Sequence, residues 1–117
     1  MLVVNRFAVE AAAAEGFEQR AREALAAFAA CAGFTDGQLG RAADDPTRWC
    51  LVTRWASVGA YRRALGSFQV KVAATPLLAE SVEEPSAYEV LASAADGVVT
   101  VGTSDRSPTY GADEGPR

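Results

Sequence analysis

The segment that constrains the fold most runs from Arg48 to Trp55, where two kinds of side chain alternate without interruption. One set is apolar apart from a threonine and consists of Trp49, Leu51, Thr53 and Trp55. The other set mixes apolar side chains with arginines and consists of Arg48, Cys50, Val52 and Arg54. Because successive side chains of a β-strand point to opposite faces, this alternation predicts a strand with one face in a hydrophobic core. The mixed face is too apolar for water alone, so we expect it to meet a second sheet.

The remaining patterns place this strand third in an order of strand, helix, strand, strand, helix, strand. The predicted elements are a strand (2–9), a helix (15–32), two strands (34–43 and 48–55) joined by a turn at 44–47, a short helix capped by Ser57 with a second helical piece (68–74), a turn that begins at Pro76, and a strand (88–92). The first helix has an apolar stripe at helical spacing, formed by Phe17, Ala21, Ala24, Leu25, Phe28 and Ala32. The order of elements predicts a ferredoxin-like α+β sandwich, an antiparallel sheet with helices on one face. Gly, Ser, Thr, Asp and Pro dominate after Ser93, so we expect a domain at 1–92 and a flexible or partner-packed tail at 93–117.

Homodimerisation is the simplest way to supply a second sheet for the mixed face. The residues expected at this interface are Arg6, Cys50, Val52 and Arg54. The arginines of this face, together with Arg48, are predicted to pair with Glu89 or with other carboxylates.

The histidine count of zero excludes the most common general base and the most common ligand of haem and zinc. Cys31 and Cys50 are too few for a metal site, so we expect no metal and no cofactor. A net charge of −4 argues against a nucleic-acid partner. No apolar run reaches the roughly 20 residues of a membrane span, and the first residues lack the apolar core of a secretory leader. We therefore expect a cytoplasmic protein.

Asn5 is the first candidate for a functional residue because it is a polar residue in the middle of the face that the first strand turns to the helices. A buried amide must find hydrogen bonds. A ligand carbonyl or phenol, or a developing oxyanion, could supply them. Alternatively, Asn5 bonds Thr53 across the sheet or caps a helix turn.

Aromatic side chains share this region with Asn5. Trp49 and Trp55 lie on the same strand face, and Tyr61 follows in the next helix. These rings could stack on a flat aromatic ligand, or they could simply be core. The residues predicted to line such a pocket are Phe7, Trp49, Leu51, Thr53, Leu65 and Phe68.

Several segments between about Met1 and Ala92 resemble the antibiotic biosynthesis monooxygenase (ABM) domain of the dimeric α+β barrel superfamily. They are the opening VVNRFAV, the Gly33-Phe34 step, RAADDP at 41–46, WCLVTRWASVGAY, and PSAYEVL. The resemblance implies a ferredoxin-like chain that pairs into a dimeric α+β barrel. It says less about the reaction, because the superfamily contains quinone-forming oxygenases, haem-degrading enzymes, cyclases, isomerases and proteins of no known activity.

Two branches of that superfamily can be compared residue by residue. The haem-degrading branch has a first-strand Asn, matched by Asn5, but its Trp and its iron-binding His fall near Ala64 and Ala73 here. The cofactor-free oxygenases of polyketide anthrones are similar at Trp55 and Tyr61, whereas their strand Asn is replaced by Leu51.

The resemblance thus implies a cofactor-independent monooxygenase for a small aromatic or polyketide-type substrate, with Asn5, Trp55 and Tyr61 as catalytic residues. No general base is evident. The alternatives are a non-redox small-ligand binder, a cyclase or isomerase of the same fold, and a dimeric accessory module without chemistry.

Overall fold

A computed structural model describes residues 1–102 of the 117-residue chain. The strands are β1 (Leu2–Ala8), β2 (Phe34–Ala42), β3 (Asp45–Trp55), β4 (Ala87–Tyr88), β5 (Ala92–Ala95) and β6 (Val98–Val101). The helices are α1 (Ala14–Ala29), α2 (Val58–Leu65), α3 (Phe68–Ala73) and α4 (Thr75–Leu78), and a 3-10 turn at Ala11–Ala13 precedes α1.

Four strands form one antiparallel sheet in the order β2-β3-β1-β4. The helices connect strands across one face of this sheet, and α1 packs against β2 and β3. The predicted ferredoxin-like α+β sandwich is confirmed. The pairing of two such sheets into a dimeric barrel stays a prediction.

The core lies between α1 and the face of the sheet that alternation on β3 predicted. The buried residues of α1 are Phe17, Ala21, Ala24 and Phe28. The two alanines allow the helix backbone to approach the sheet closely, and the two phenylalanines fill the space on either side. All four belong to the apolar stripe expected from helical spacing.

The connection from α1 to β2 depends on Gly33. Its φ is +89°, a left-handed conformation that glycine adopts readily. A Cβ at this position would lie 2.4 Å from the Cβ of Ala60 in α2. The carbonyl of Gly33 accepts a hydrogen bond of 2.8 Å from the backbone N–H of Ala56. Ser57 caps α2 as predicted, since its Oγ accepts from the N–H of Ala60 at 3.1 Å.

The prediction of a final strand at 88–92 is wrong in its bounds, because β4 contains only Ala87 and Tyr88. Pairing stops there because Tyr88 already lies opposite Leu2, the first residue of β1. The prediction for 75–78 also needs correction, because this segment forms the short helix α4 rather than a turn. Likewise, β3 begins at Asp45, inside the turn expected before it.

A second small sheet lies within the predicted tail. β5 and β6 form an antiparallel hairpin around Asp96 and Gly97, both of which have positive φ. Every residue of the two strands is exposed. The domain boundary and the packing of this tail on a partner stay predictions, and 103–117 lie outside the described residues. None of the helices within residues 1–102 is long and apolar enough to cross a membrane.

Candidate functional site

The candidate residues lie in successive rows on the helix-facing side of β1 and β3. Across the two strands, Phe7 is opposite Trp49, Asn5 is opposite Leu51 and Val3 is opposite Thr53. All six side chains are buried. Trp55 ends β3 one row further on, where its backbone N–H donates to the carbonyl of Met1 at 2.9 Å. Asn5 therefore lies between the two tryptophans, one on each side along the sheet.

Trp55 is the centre of an aromatic cluster. Its ring centroid lies 5.7 Å from Phe28, 5.3 Å from Phe34 and 5.4 Å from Tyr61. Its indole N–H donates to Thr53 Oγ1 at 2.9 Å, and the residue is 2% exposed. The ring of Trp55 is thus held firmly by its neighbours, with its one hydrogen-bonding group already occupied.

Tyr61 closes this cluster on the side of α2. The residue is half-buried, and burial raises the pKa of its phenol above the ordinary value. At neutral pH the hydroxyl therefore keeps its proton. Within residues 1–102 it has no hydrogen-bond partner, so it is available to donate to a ligand.

Asn5 is 9% exposed, and its side-chain amide makes no hydrogen bond to any residue in 1–102. The bond to Thr53 that the sequence allowed does not form, and the Thr53 hydroxyl accepts from the Trp55 indole. The alternative of a helix cap does not occur either. An amide offers two donor hydrogens and a carbonyl acceptor. In Asn5 these groups have no protein partner among residues 1–102, and they are not among the side-chain atoms fully shielded from solvent.

The spacing along β3 separates Asn5 from the Trp55 cluster. Leu51, which faces Asn5, precedes Trp55 by four positions, a length of about 13 Å along a strand. The structure therefore brings Trp55 and Tyr61 into contact and places Asn5 in the same layer at the other side of Thr53.

A second aromatic group surrounds Trp49. Phe17 bridges the rings of Phe7 and Trp49, with centroid distances of 5.0 and 5.3 Å. The guanidinium carbon of Arg41 lies 5.2 Å from the Trp49 centroid, a cation–π geometry. Trp49 is 5% exposed, and its indole N–H is buried without a partner among the described residues.

The other predicted lining residues divide into two groups. Leu51 and Thr53 are buried in the row next to Asn5, and Leu65 is half-buried against the core. Phe68 is 76% exposed on α3, so the structure does not bring it together with the rest. Sequence reasoning missed Arg41. The signal was its position in β2, where residues 37, 39 and 41 alternate onto the face that Trp49 shares.

Two cavities open beside Trp49. One, of about 370 Å³, is lined by side chains that include Arg6, Arg41, Arg48, Cys50 and Glu84. The other, of about 510 Å³, lies between α1 and β2 and is lined by Glu18, Arg22, Leu25, Leu39, Arg41 and Trp49. Neither of these two is lined by Asn5, Trp55 or Tyr61. Over residues 1–102, no group of three or more Cys, Asp or Glu side chains is arranged to hold a metal ion.

The sequence profile of the antibiotic biosynthesis monooxygenases matches residues 1–75. The chain belongs to the antibiotic biosynthesis monooxygenase family. Among solved structures, it is similar to SnoaB, a cofactor-independent oxygenase from Streptomyces nogalater, with 33% identity and a TM-score of 0.61. That similarity covers 69% of this chain and 82% of SnoaB.

More distant structures share the fold alone. A provisionally named antibiotic biosynthesis monooxygenase from Nitrosomonas europaea has 18% identity and a TM-score of 0.61, over 86% of this chain and 88% of that one. A conserved protein from Methanosarcina mazei has 17% identity and a TM-score of 0.61, over 74% and 84%. No curated protein is similar enough in sequence to count as a match.

Proposed function

We propose that this member of the family is a cofactor-independent monooxygenase for small aromatic or polyketide-type substrates. The observation that carries the proposal is the Asn5 amide, which lies on the helix-facing side of the sheet with no protein partner in residues 1–102. It is not fully shielded from solvent, since Trp49 Nε1 is the only fully shielded and unpaired side-chain atom among the described residues, so a ligand oxygen can replace the water that reaches the amide. The 33% identity with a cofactor-independent oxygenase supports the choice of reaction.

In the proposed reaction a substrate methylene group becomes a carbonyl. The ionised substrate gives electrons to dioxygen, one oxygen atom stays on the carbon, and the other leaves as water with the two hydrogens. The substrate supplies every electron, so no external reductant is needed. Asn5 donates an N–H to the substrate oxyanion, while Trp55 and Tyr61 border the ring system. Because the chain has no histidine, we assign the first deprotonation to water, which restricts the substrates to acidic phenols and enols.

A non-redox role is the second candidate, either ligand binding or isomerisation of an enol. The observation that favours it is the same unpaired amide, which would stabilise an enolate without any oxygen chemistry. The two roles therefore share a site and differ in the consumption of dioxygen.

Oxygen uptake with a panel of anthrones tests the proposal. We expect one dioxygen consumed per quinone formed, above the rate without protein, and loss of this activity in Asn5→Ala. Gln69→Ala is the matched control, since it removes an amide from the exposed face of α3. Thermal stabilisation by these compounds without oxygen uptake would support the non-redox role. If the compounds cause neither oxygen uptake nor thermal stabilisation, both proposed roles are contradicted.

We also propose that the protein is a homodimer built on the outer face of the sheet. Val4 and Val52 face each other across β1 and β3 there and are only half-buried in the single chain. Three arginines border this patch, and each has a carboxylate in its own chain: Arg6–Glu84, Arg48–Asp45 and Arg54–Asp36. Light scattering at micromolar concentration should give about twice the chain mass of 12.2 kDa. A monomeric mass would contradict this assignment.

A further inference from the structure

The helix-facing side of the sheet contains a second hydrogen-bond donor without an acceptor, the hydroxyl of Thr53. This residue is 2% exposed. Its Oγ1 accepts from the indole N–H of Trp55 at 2.9 Å, and an indole N–H can only donate. The Thr53 hydroxyl therefore keeps its own hydrogen, and no group among residues 1–102 accepts it.

Thr53 and Asn5 belong to one block of four side chains on β1 and β3. Asn5 is opposite Leu51 and Val3 is opposite Thr53, so the two polar residues are diagonal neighbours. Diagonal neighbours on one face of an antiparallel pair lie about 7–8 Å apart at their Cα atoms and closer at their side chains. The other two members of the block, Leu51 and Val3, are buried and apolar, so they offer no acceptor to either donor.

This diagonal fits one ligand oxygen between two donors. A hydrogen bond to oxygen measures about 2.7–3.0 Å, so one oxygen can accept from two donors that are up to about 6 Å apart. The Asn5 amide is not fully shielded from solvent, and a ligand oxygen that replaces water there lies next to Thr53. An oxyanion accepts several hydrogen bonds and donates none, which matches two free donors in an apolar layer.

We propose that Thr53 is a second catalytic donor, beside Asn5, and that Trp55 is its positioning residue. The inference rests on the proposed oxygenase function. The Thr53 hydroxyl and the Asn5 amide donate together to the oxyanion of the ionised substrate. The Trp55 indole occupies Thr53 Oγ1 from one side, which fixes the direction of the hydroxyl hydrogen and strengthens it as a donor. Thr53 thus connects Trp55 with Asn5, which the spacing along β3 otherwise separates.

Anthrone is the probe, titrated without oxygen so that its enolate binds but does not react. Thr53→Val should weaken enolate binding by the full chain about tenfold, the expected loss for one hydrogen bond to a charged oxygen. Thr53→Ser keeps the hydroxyl and should stay within about threefold of the natural protein. Thr35→Val is the matched control, since it removes a hydroxyl from an exposed position of β2, and it should leave enolate binding unchanged.

A second comparison separates donation by Thr53 from support of the Trp55 ring. Trp55→Phe removes the indole N–H, so adding Thr53→Val to this variant strands no buried donor. The double variant should bind the enolate about tenfold more weakly than Trp55→Phe alone. A threonine that only held the Trp55 indole would give equal binding in these two proteins.

The outcomes separate this inference from the proposed function. Equal enolate binding by Trp55→Phe and the double variant would overturn the second donor, and loss of binding in Asn5→Ala would then still support the oxygenase site. Enolate binding that depends on Thr53 but consumes no oxygen in air would support the two donors and contradict the oxygenase. Absence of enolate binding by the natural protein would overturn both.

Discussion

Replacing Asn5 by leucine tests whether its amide is unpaired in solution. The side chain is 9% exposed and lies between Val3 and Phe7 on β1, opposite Leu51. Leucine has the same branched shape and no polar atoms, but its side chain is larger. We expect Asn5→Leu to stay within about 2 kcal/mol of the natural protein in stability and to lose substrate binding, because the Asn5 amide makes no hydrogen bond to residues 1–102 that would hold the fold together.

The magnitude follows from two opposing contributions. Removing a poorly satisfied polar group from the core stabilises the fold by up to about 1–3 kcal/mol. Inserting a larger side chain into a packed core costs about 1–3 kcal/mol. The two contributions nearly cancel, so the expected net change lies within about 2 kcal/mol of zero. For a domain of this size each kcal/mol corresponds to about 4–8 °C in the midpoint of thermal unfolding.

Urea and thermal unfolding followed by circular dichroism measure this difference. Gln69→Leu provides the control for adding leucine, since residue 69 is exposed on α3 and a surface change there should stay within about 0.5 kcal/mol. A loss of stability in Asn5→Leu of more than about 2 kcal/mol would show that the amide is hydrogen-bonded to the protein in solution, since a stranded partner adds to the cost of the larger side chain, and the reasoning from an unpaired group would be refuted.

Gly33→Ala should destabilise the fold by about 2 kcal/mol or more, because φ is +89° and the new Cβ would meet Ala60. Gly16→Ala is the control, since open space surrounds Gly16 in α1, and it should stabilise the fold by about 0.5–1 kcal/mol. Similar thermal unfolding midpoints for the two variants would contradict the prediction. Burial raises the folded-state pKa of Tyr61, so the unfolded chain releases this proton first and stability should fall as pH rises above about 10. The free energy of unfolding in urea, measured at pH 7 and at alkaline pH, should fall less with pH in Tyr61→Phe than in the natural protein. An equal fall would show that the phenol is exposed to water in the folded protein. Truncation after Leu91 should leave the thermal midpoint within a few degrees, because the hairpin that it removes is fully exposed. A larger drop together with loss of the dimer would show that the hairpin packs on the partner chain.

The fold could be predicted from the sequence wherever periodicity decides the outcome. Alternation along β3 identified its buried face, because shifting a strand by one residue would bring arginines into the core. Helical spacing identified Phe17 and Phe28 as the buried side of α1 for the same kind of reason. These patterns repeat over many residues, so local exceptions do not change the result.

The edges of the fold were harder to predict because they depend on single contacts. The segment before β4 already runs along β1, with the N–H of Val82 bonded to the carbonyl of Arg6 and the N–H of Val4 bonded to that of Ser86. The hairpin β5–β6 was missed because its strands are short and small-residue-rich. The turn at Asp96-Gly97 was the signal for it, since both residues of such a turn need positive φ.

The candidate site shows most clearly why hydrogen-bond partners cannot be read from the sequence. The tripeptide Thr-Arg-Trp occurs twice in β3, at 47–49 and at 53–55, and both tryptophans face the core. In the second copy, Thr53 Oγ1 accepts from the indole of Trp55. In the first copy, the Thr47 hydroxyl donates to Asp45 Oδ1 at 2.6 Å.

That difference determines which polar groups remain unpaired. Thr47 lies where the strand begins, and the Asp45 carboxylate also accepts its backbone N–H at 3.0 Å, so local bonds at the turn hold the threonine there. The indole N–H of Trp49 is then left buried without an acceptor. Thr53 has no carboxylate two residues before it, and its hydroxyl accepts from the Trp55 indole. The aspartate at the start of β3 therefore distinguishes a tryptophan whose indole N–H is paired in the core from one whose indole N–H is buried without an acceptor among residues 1–102.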